Sequence, residues 1–581
     1  MNRRSFLARM GALQALPAAP LRMAAAAAAA GASLEGTFVD PSAAKPQSAL
    51  STEPRKGHWR KIGWKAQGGA GRTLSGTILC IGPETNAPAI TIDPGVRGPH
   101  EIFIGLPTSI LYENPNAIRI KLDNDPCYAP LAVDPVAGRG GIQDCRFRAA
   151  DLSGRTIQIA GADLLRNKAA AVAYVRLAPV PESRLDSRRP KGIRMVALND
   201  GFSYLWERGV STEDRLWEEI LPYRDSGYQA LQFCITGADH CNYPTKVGTL
   251  IGDGLDDYPR VGDRYYTECV KNFLQRGVDP VASTMKFTRS IGLEYHLSIR
   301  MEAFAAPPVF DYMFRSKFYA AHPELLCQDR DGRQIARMSY AYPEVREHIF
   351  AILEEMASYR PEGINFIFPR ANPYLLYEAP FLEEFRRLHG SDPRRLPEFH
   401  PDVAALRCEF MNRFLQEARR RILSKAGRPI ELSAIVLADR QSNLNYGLDV
   451  LHWIDQGWFN EISPSVWAGN HQQVKPHLGY LVEACQRRRC RLVVNMLPRK
   501  YKPDEYIARA SELLAAGAQG FSMWDLNGHH NHPVEWELLK AIGRLPMMPD
   551  GGRSLTAEAV VLPITELGGL SMDRYPSTWA F

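Results

Sequence analysis

The sequence predicts an α/β chain with an all-β part: a (β/α)8 TIM barrel preceded by an N-terminal β-sandwich. Three observations carry the prediction. From Ile193 to Trp524, short apolar runs alternate with longer stretches whose apolar residues recur at helical spacing, and this happens eight times. Before Pro181 the apolar runs are short, broken by Gly, Pro and Asp, with no long helical pattern between them. The turn after the first barrel strand, Asn199-Asp200-Gly201-Phe202, is not the Gly-rich phosphate turn of a doubly wound sheet.

Taken in order, residues 1–30 read as an address. Asn2-Arg3-Arg4-Ser5-Phe6-Leu7 followed by an Ala-rich run has the form of a twin-arginine export signal, which predicts a periplasmic or extracellular protein. Residues 31–56, rich in Ala, Ser, Pro and Thr, read as a loosely draped linker. Residues 57–182 read as the sandwich, jelly-roll-like, with strands expected at 77–81, 89–92, 101–104, 118–122, 155–159 and 171–177. Its Trp59, Trp64 and Tyr128 suit either a sugar platform or a core. Residues 193–545 read as the barrel, with strands expected at 193–198, 230–235, 294–299, 363–368, 431–436, 459–463, 491–495 and 520–524. Helices fall between them, the clearest from Pro343, where proline suits a first turn, to Ser358. Residues 546–581 form a C-terminal extension whose run Ala559–Leu562 is suited to add a strand to the sandwich. The connections after strands two, three and four are long and all lie on one barrel face, as a substrate cleft requires.

Composition excludes several classes. At 581 residues the chain exceeds one core and calls for two or three domains. The 45% hydrophobic and 23% charged content is that of a globular protein. The net charge of +6 is carried partly by Arg419–Arg421 and Arg487–Arg489 on helix faces with no basic-aromatic module, so no nucleic-acid partner is expected. After the leader no stretch is long and apolar enough for a membrane span. None of the ten cysteines forms a CxxC pair, which excludes a structural zinc site and leaves a few disulfides open in an oxidising compartment. Oligomeric state is not legible.

The segment Ser339–Glu378, with Pro343-Glu-Val-Arg-Glu347, Glu362-Gly-Ile364 opening a strand, Arg370 beyond it and Tyr377-Glu378 before Pro380, resembles the glycosyl-hydrolase-like (β/α)8 proteins of environmental bacteria. Ser298-Ile-Arg-Met-Glu302 and His322-Pro-Glu324 extend the likeness over roughly residues 194–545. The resemblance implies hydrolysis of O-glycosidic bonds in a poly- or oligosaccharide, without a cofactor. In many relatives Asp precedes the Gly-Ile pair and an acid lies on the strand; here Glu362 and Ile367 stand in those places.

A glycosidase needs one protonated and one ionised carboxyl across the scissile bond. The strand-end acids are Asp200, Asp239, Glu302, Glu378, Asp439 and Asp525. Glu302 lies two residues past Arg300, whose charge would hold it ionised as nucleophile or base; a structural ion pair is the alternative. Glu378 follows Tyr374 and Tyr377, an apolar wall that would raise its pKa for the acid role, or else it caps the next helix. Asp525 follows Trp524, a candidate sugar floor. Glu302, Glu378 and Asp525 are therefore the catalytic candidates. Arg300, Arg370, Asn199, Asp239, His240, Tyr374, Trp467, Asn495 and Trp524 are the substrate-binding ones. His529, His530 and His532 lack a matching acid or Cys set, so no metal is expected. Two other classes remain: a non-catalytic carbohydrate-binding barrel, and a metal-dependent amidohydrolase, which would show a His-x-His on the first strand where Arg194–Leu198 has none.

Overall fold

The computed structural model describes residues 34–572 apart from 69–70, 83–85, 109–115, 139, 163–169, 186–191, 208–209, 211, 307, 370–371, 466–477, 497–501, 525, 527 and 549–557. Eight parallel strands form the barrel: Arg194–Asn199, Ala230–Gly237, Glu294–Arg300, Gly363–Ile367, Glu431–Leu437, Glu461–Ser465, Arg491–Met496 and Gly520–Trp524. Each pairs with the next, and the first pairs with both the second and the eighth, which closes the sheet. Helices pack outside. Pro343–Ser358 begins with proline and buries Val345, Ile349, Ile352, Leu353 and Met356, a stripe at helical spacing. The longest helix, Pro401–Ala426, ends at Gly427 in the left-handed conformation that spares glycine a steric penalty. Among the described residues no helix is long and apolar enough to cross a membrane.

The alternation of each strand decides what faces inward. At the N-terminal end of the barrel, Arg194 meets Glu294 at 2.7 Å and Glu461 at 3.4 Å, while Arg491 meets Glu461 at 3.3 Å and also pairs with Glu431. Above them runs a polar layer: Gln232 donates to Ser433, Ser433 to Asn365, and Asn365 to Ser298. Ser465 donates to Asn495, which donates to Ser522. Near the C-terminal mouth, Leu198, Cys234, Ile367, Ile435 and Trp524 close the interior with an apolar cluster.

The N-terminal part is a sandwich. A ten-stranded, mainly antiparallel curled sheet faces a four-stranded sheet, and Ile90, Ile120 and Ile159 from the smaller pack against Trp59, Ile104 and Val175 from the larger. Trp59 and Trp64 are core, the Trp59 indole N–H donating to the Pro88 carbonyl at 2.8 Å. Two expectations change. The supposed linker is structured: Thr37–Val39 pairs with Tyr174–Pro179, because its Phe38 has an aromatic partner in Tyr174 at 5.1 Å. The expected strand 171–177 is two strands, Ala170–Val172 and Tyr174–Pro179, which pair with different neighbours. Near the C-terminus Val561–Leu567 inserts between Gly141–Asp151 and Trp59–Gln67 in the larger sheet.

The sandwich is tied to the barrel by buried polar contacts. Arg119 forks onto Glu218 at 2.6 and 3.0 Å. Asp134 accepts from the Val534 and Glu535 backbone N–H groups at the start of helix Pro533–Ile542, at 3.0 and 3.3 Å. All ten cysteines are buried and none is in a disulfide.

Candidate functional site

The strand-end acids have separate surroundings. Asp200 accepts from the Phe202 and Ser203 backbone N–H groups and the Ser203 hydroxyl, and Asp439 caps helix Arg440–Asn445 through the Ser442 N–H. Both are spent on local capping. Asp239 lies outside the strands, where His348 of helix Pro343–Ser358 donates to its Oδ2 at 2.8 Å. His348 in turn stacks on Phe318, with ring centroids 4.0 Å apart.

Glu302 does not sit beside Arg300 as an ion pair. The extended strand stops at Arg300; the Met301 N–H then bonds the Ile367 carbonyl and its own carbonyl accepts from the Tyr340 hydroxyl. This turn breaks the alternation that would have kept Glu302 next to Arg300. Glu302 is 1% exposed, and neither of its oxygens is in a well-formed hydrogen bond, although the Met338 backbone N–H lies close enough to favour its charged form. Burial pushes its pKa well above the usual carboxylate range, the Arg337 guanidinium pulls the other way, and the charges of Glu378 and Asp239 add to the rise. Burial thus favours the neutral form of Glu302, whereas the Arg300 charge was expected to hold it ionised.

Glu378 is also raised by burial, against the pull of backbone N–H groups. Its oxygens accept from Leu376 at 2.9 Å and Gln328 at 2.9 Å, so it braces the loop before helix Ala379–His389. Tyr374 is core: its hydroxyl donates to the Phe368 carbonyl and its ring packs edge-on to Phe368 at 5.6 Å. Asn199 faces outward, because Leu198 takes the inward position; it donates to Glu219 at 3.2 Å and accepts from the Gly201 N–H. Asn495 and Trp524 face inward, in the polar layer and the apolar cluster respectively. Asp525, Arg370 and Trp467 lie outside the described residues.

The structure brings the buried Glu302, Glu378 and Asp239 into one electrostatic neighbourhood. At the mouth it gathers a different set. The Arg300 guanidinium lies 4.7 Å from the centre of the Phe202 ring. Phe314 packs 6.2 Å from Phe202 and edge-on to His240 at 6.3 Å. His240 donates from Nδ1 to the Ala303 carbonyl at 2.9 Å. The sequence reading missed Phe202, Phe314, Arg337 and His348; an aromatic two residues after the first strand-end acid was the one signal available for Phe202. At the opposite end, Glu294, His296 and Glu431 bring three ligating atoms within 4.8 Å, but Arg194 and Arg491 already neutralise the two acids.

Fold and strand-end groups together define the class: a closed (β/α)8-barrel protein with an attached β-sandwich. No family model matches the chain, and no curated protein matches it in sequence. Among solved structures it is similar to alpha-L-fucosidase isoenzyme 2 from Paenibacillus thiaminolyticus, at 14% identity and TM-score 0.41, over 61% of this chain and 49% of that one. It is also similar to an alpha-galactosidase from Thermus thermophilus, at 13% identity and TM-score 0.31, over 83% and 94% of the two chains. A ruminal endo-beta-1,4-mannanase follows at 9% identity and TM-score 0.30, over 87% and 96%. The fold assignment rests on the strand pairing itself.

Proposed function

We propose that the protein is a glycoside hydrolase acting on a poly- or oligosaccharide, with Glu302 as the proton donor. The observation that supports this is a buried carboxyl just past the end of a barrel strand, with neither oxygen in a well-formed hydrogen bond and its pKa raised by burial. Such a group is costly to keep and suited to protonating a glycosidic oxygen. Asp525, after the eighth strand, is the proposed ionised partner. The resemblance of the Ser298–Glu302 and Ser339–Glu378 segments to glycosyl-hydrolase-like proteins points the same way. A panel of p-nitrophenyl glycosides and oligosaccharides tests the proposal. Glu302→Gln and Asp525→Asn should each lower kcat by on the order of a hundredfold or more without lowering the thermal midpoint; full turnover in both variants ends the assignment.

A second reading is a carbohydrate-binding barrel without catalysis, favoured by the 1% exposure of Glu302. Saccharides that stabilise the protein but are never cleaved would decide for it. We also propose export by a twin-arginine route, from Arg3-Arg4 and the apolar run behind them. Retention of an Arg3→Lys, Arg4→Lys double variant in the cytoplasm, with the parent chain found outside it, is the expected outcome.

A further inference from the structure

Arg300 stands out among the inward groups. Glu294, His296, Ser298 and Arg300 alternate along the third strand, so Arg300 is the last inward residue before the mouth. It is 7% exposed, and its Nε and Nη2 are buried without a hydrogen-bond partner. No carboxylate approaches it within ion-pair distance among the described residues. A buried guanidinium without a counter-charge is expensive, and the face of Phe202 offsets only part of that cost.

The two unpartnered donors are the pair that forms one edge of the guanidinium fork. Elsewhere in this protein the same pair clamps carboxylates: Arg119 on Glu218 at 3.0 and 2.6 Å, and Arg387 on Glu384 at 2.9 and 2.9 Å. Arg300 presents that edge with no carboxylate among the described residues to fill it. Beside it, on the same aromatic wall, His240 is 2% exposed and its Nε2 has no partner. Because Nδ1 donates to the Ala303 carbonyl, Nε2 of the neutral ring is an acceptor, suited to a hydroxyl and not to an anion.

We propose that the barrel mouth binds a sugar acid: Arg300 forks onto the carboxylate of a uronate unit, and His240 Nε2 accepts a hydroxyl of the same saccharide. The inference rests on the carbohydrate reading of the mouth and names its substrate class. Glucuronate and galacturonate, titrated calorimetrically into the full chain against glucose and galactose, test it, with sulfate as the inorganic anion. The uronates should bind at least tenfold more tightly than their neutral counterparts and than sulfate. Arg300→Gln should weaken uronate binding on the order of tenfold to a hundredfold. Its thermal midpoint should stay level or rise, which a merely structural arginine would not allow. Arg300→Lys keeps the charge but loses the fork, and should fall between the two.

Equal binding of acidic and neutral sugars, or sulfate binding as well as the uronates, overturns the inference. Cleavage of neutral glycosides with no preference for uronides removes this inference and leaves the hydrolase standing. Uronate binding lost in Arg300→Gln, with no uronide cleaved, keeps it and removes the hydrolase.

Discussion

The two ends of the third barrel strand treat charge in opposite ways. At its start, Glu294 pairs with Arg194 at 2.7 Å and meets His296 at 3.3 Å, within a set where every acid has a cation. At its far end, Arg300 has no counter-charge among the described residues, and Glu302 just beyond has no well-formed hydrogen bond. Both ends belong to the same seven residues and the same sheet. The closed end holds the strands in register by matched ion pairs. The open end leaves polar groups unmatched at a cost in stability, as residues intended for something outside the chain do. Stability and function are thus separated along one strand by about 20 Å of extended backbone.

Substitutions at each end test this contrast most directly. Arg194→Met leaves the buried Glu461 with Arg491 alone and strips Glu294 of its main cation, and should cost about 2–4 kcal/mol in denaturant unfolding. Arg300→Met should cost nothing measurable or raise stability; an equal loss at both ends would erase the distinction.

The pH dependence should divide in the same way. Burial alone would raise Glu294, but the His296 and Arg194 hydrogen bonds outweigh it and hold the group at about 2. Its stabilisation is present above the ordinary carboxylate pKa and is lost as the pH falls from there through about 2. Glu302 is raised, so the unfolded chain ionises first and stability falls as the pH climbs from the ordinary carboxylate range towards the folded pKa. Glu302→Gln should flatten the fall on the alkaline side and leave the acid limb intact, read as the thermal midpoint against pH. Lowering of both limbs together would mean the groups are not independent.

The smallest effect belongs to the junction between the domains. Asp134→Ala removes the acceptor for two helix N–H groups and should cost about 1–2 kcal/mol. Arg300→Gln and Asp134→Ala, far apart, should be additive in the double variant.

The architecture was largely legible because its signals are local. The helix Pro343–Ser358 follows from one proline and one apolar stripe, and the eighth strand Gly520–Trp524 from five consecutive residues. The strands that escaped notice, Trp59–Gln67 and Gly141–Asp151, carry Arg, Lys, Gln and Asp, and are fixed by partners far along the chain. The site was less legible. Arg300 and His240, expected as substrate-binding residues, do lie at or near strand ends. Asn199 was assigned to the mouth although the alternation that sends Leu198 inward sends its neighbour out. The role of Glu302 turned on where a strand stops, and sequence spacing carries no mark of that.

One feature of the larger sheet bears on how the protein is made. Val561–Leu567 lies between two strands from the first quarter of the chain, bonded to both. While a nascent chain is still on the ribosome, that seam is open and two strand edges stand exposed. The larger sheet closes only once residues 561–567 have been synthesised, so a chain broken off before them keeps two strand edges open to other chains.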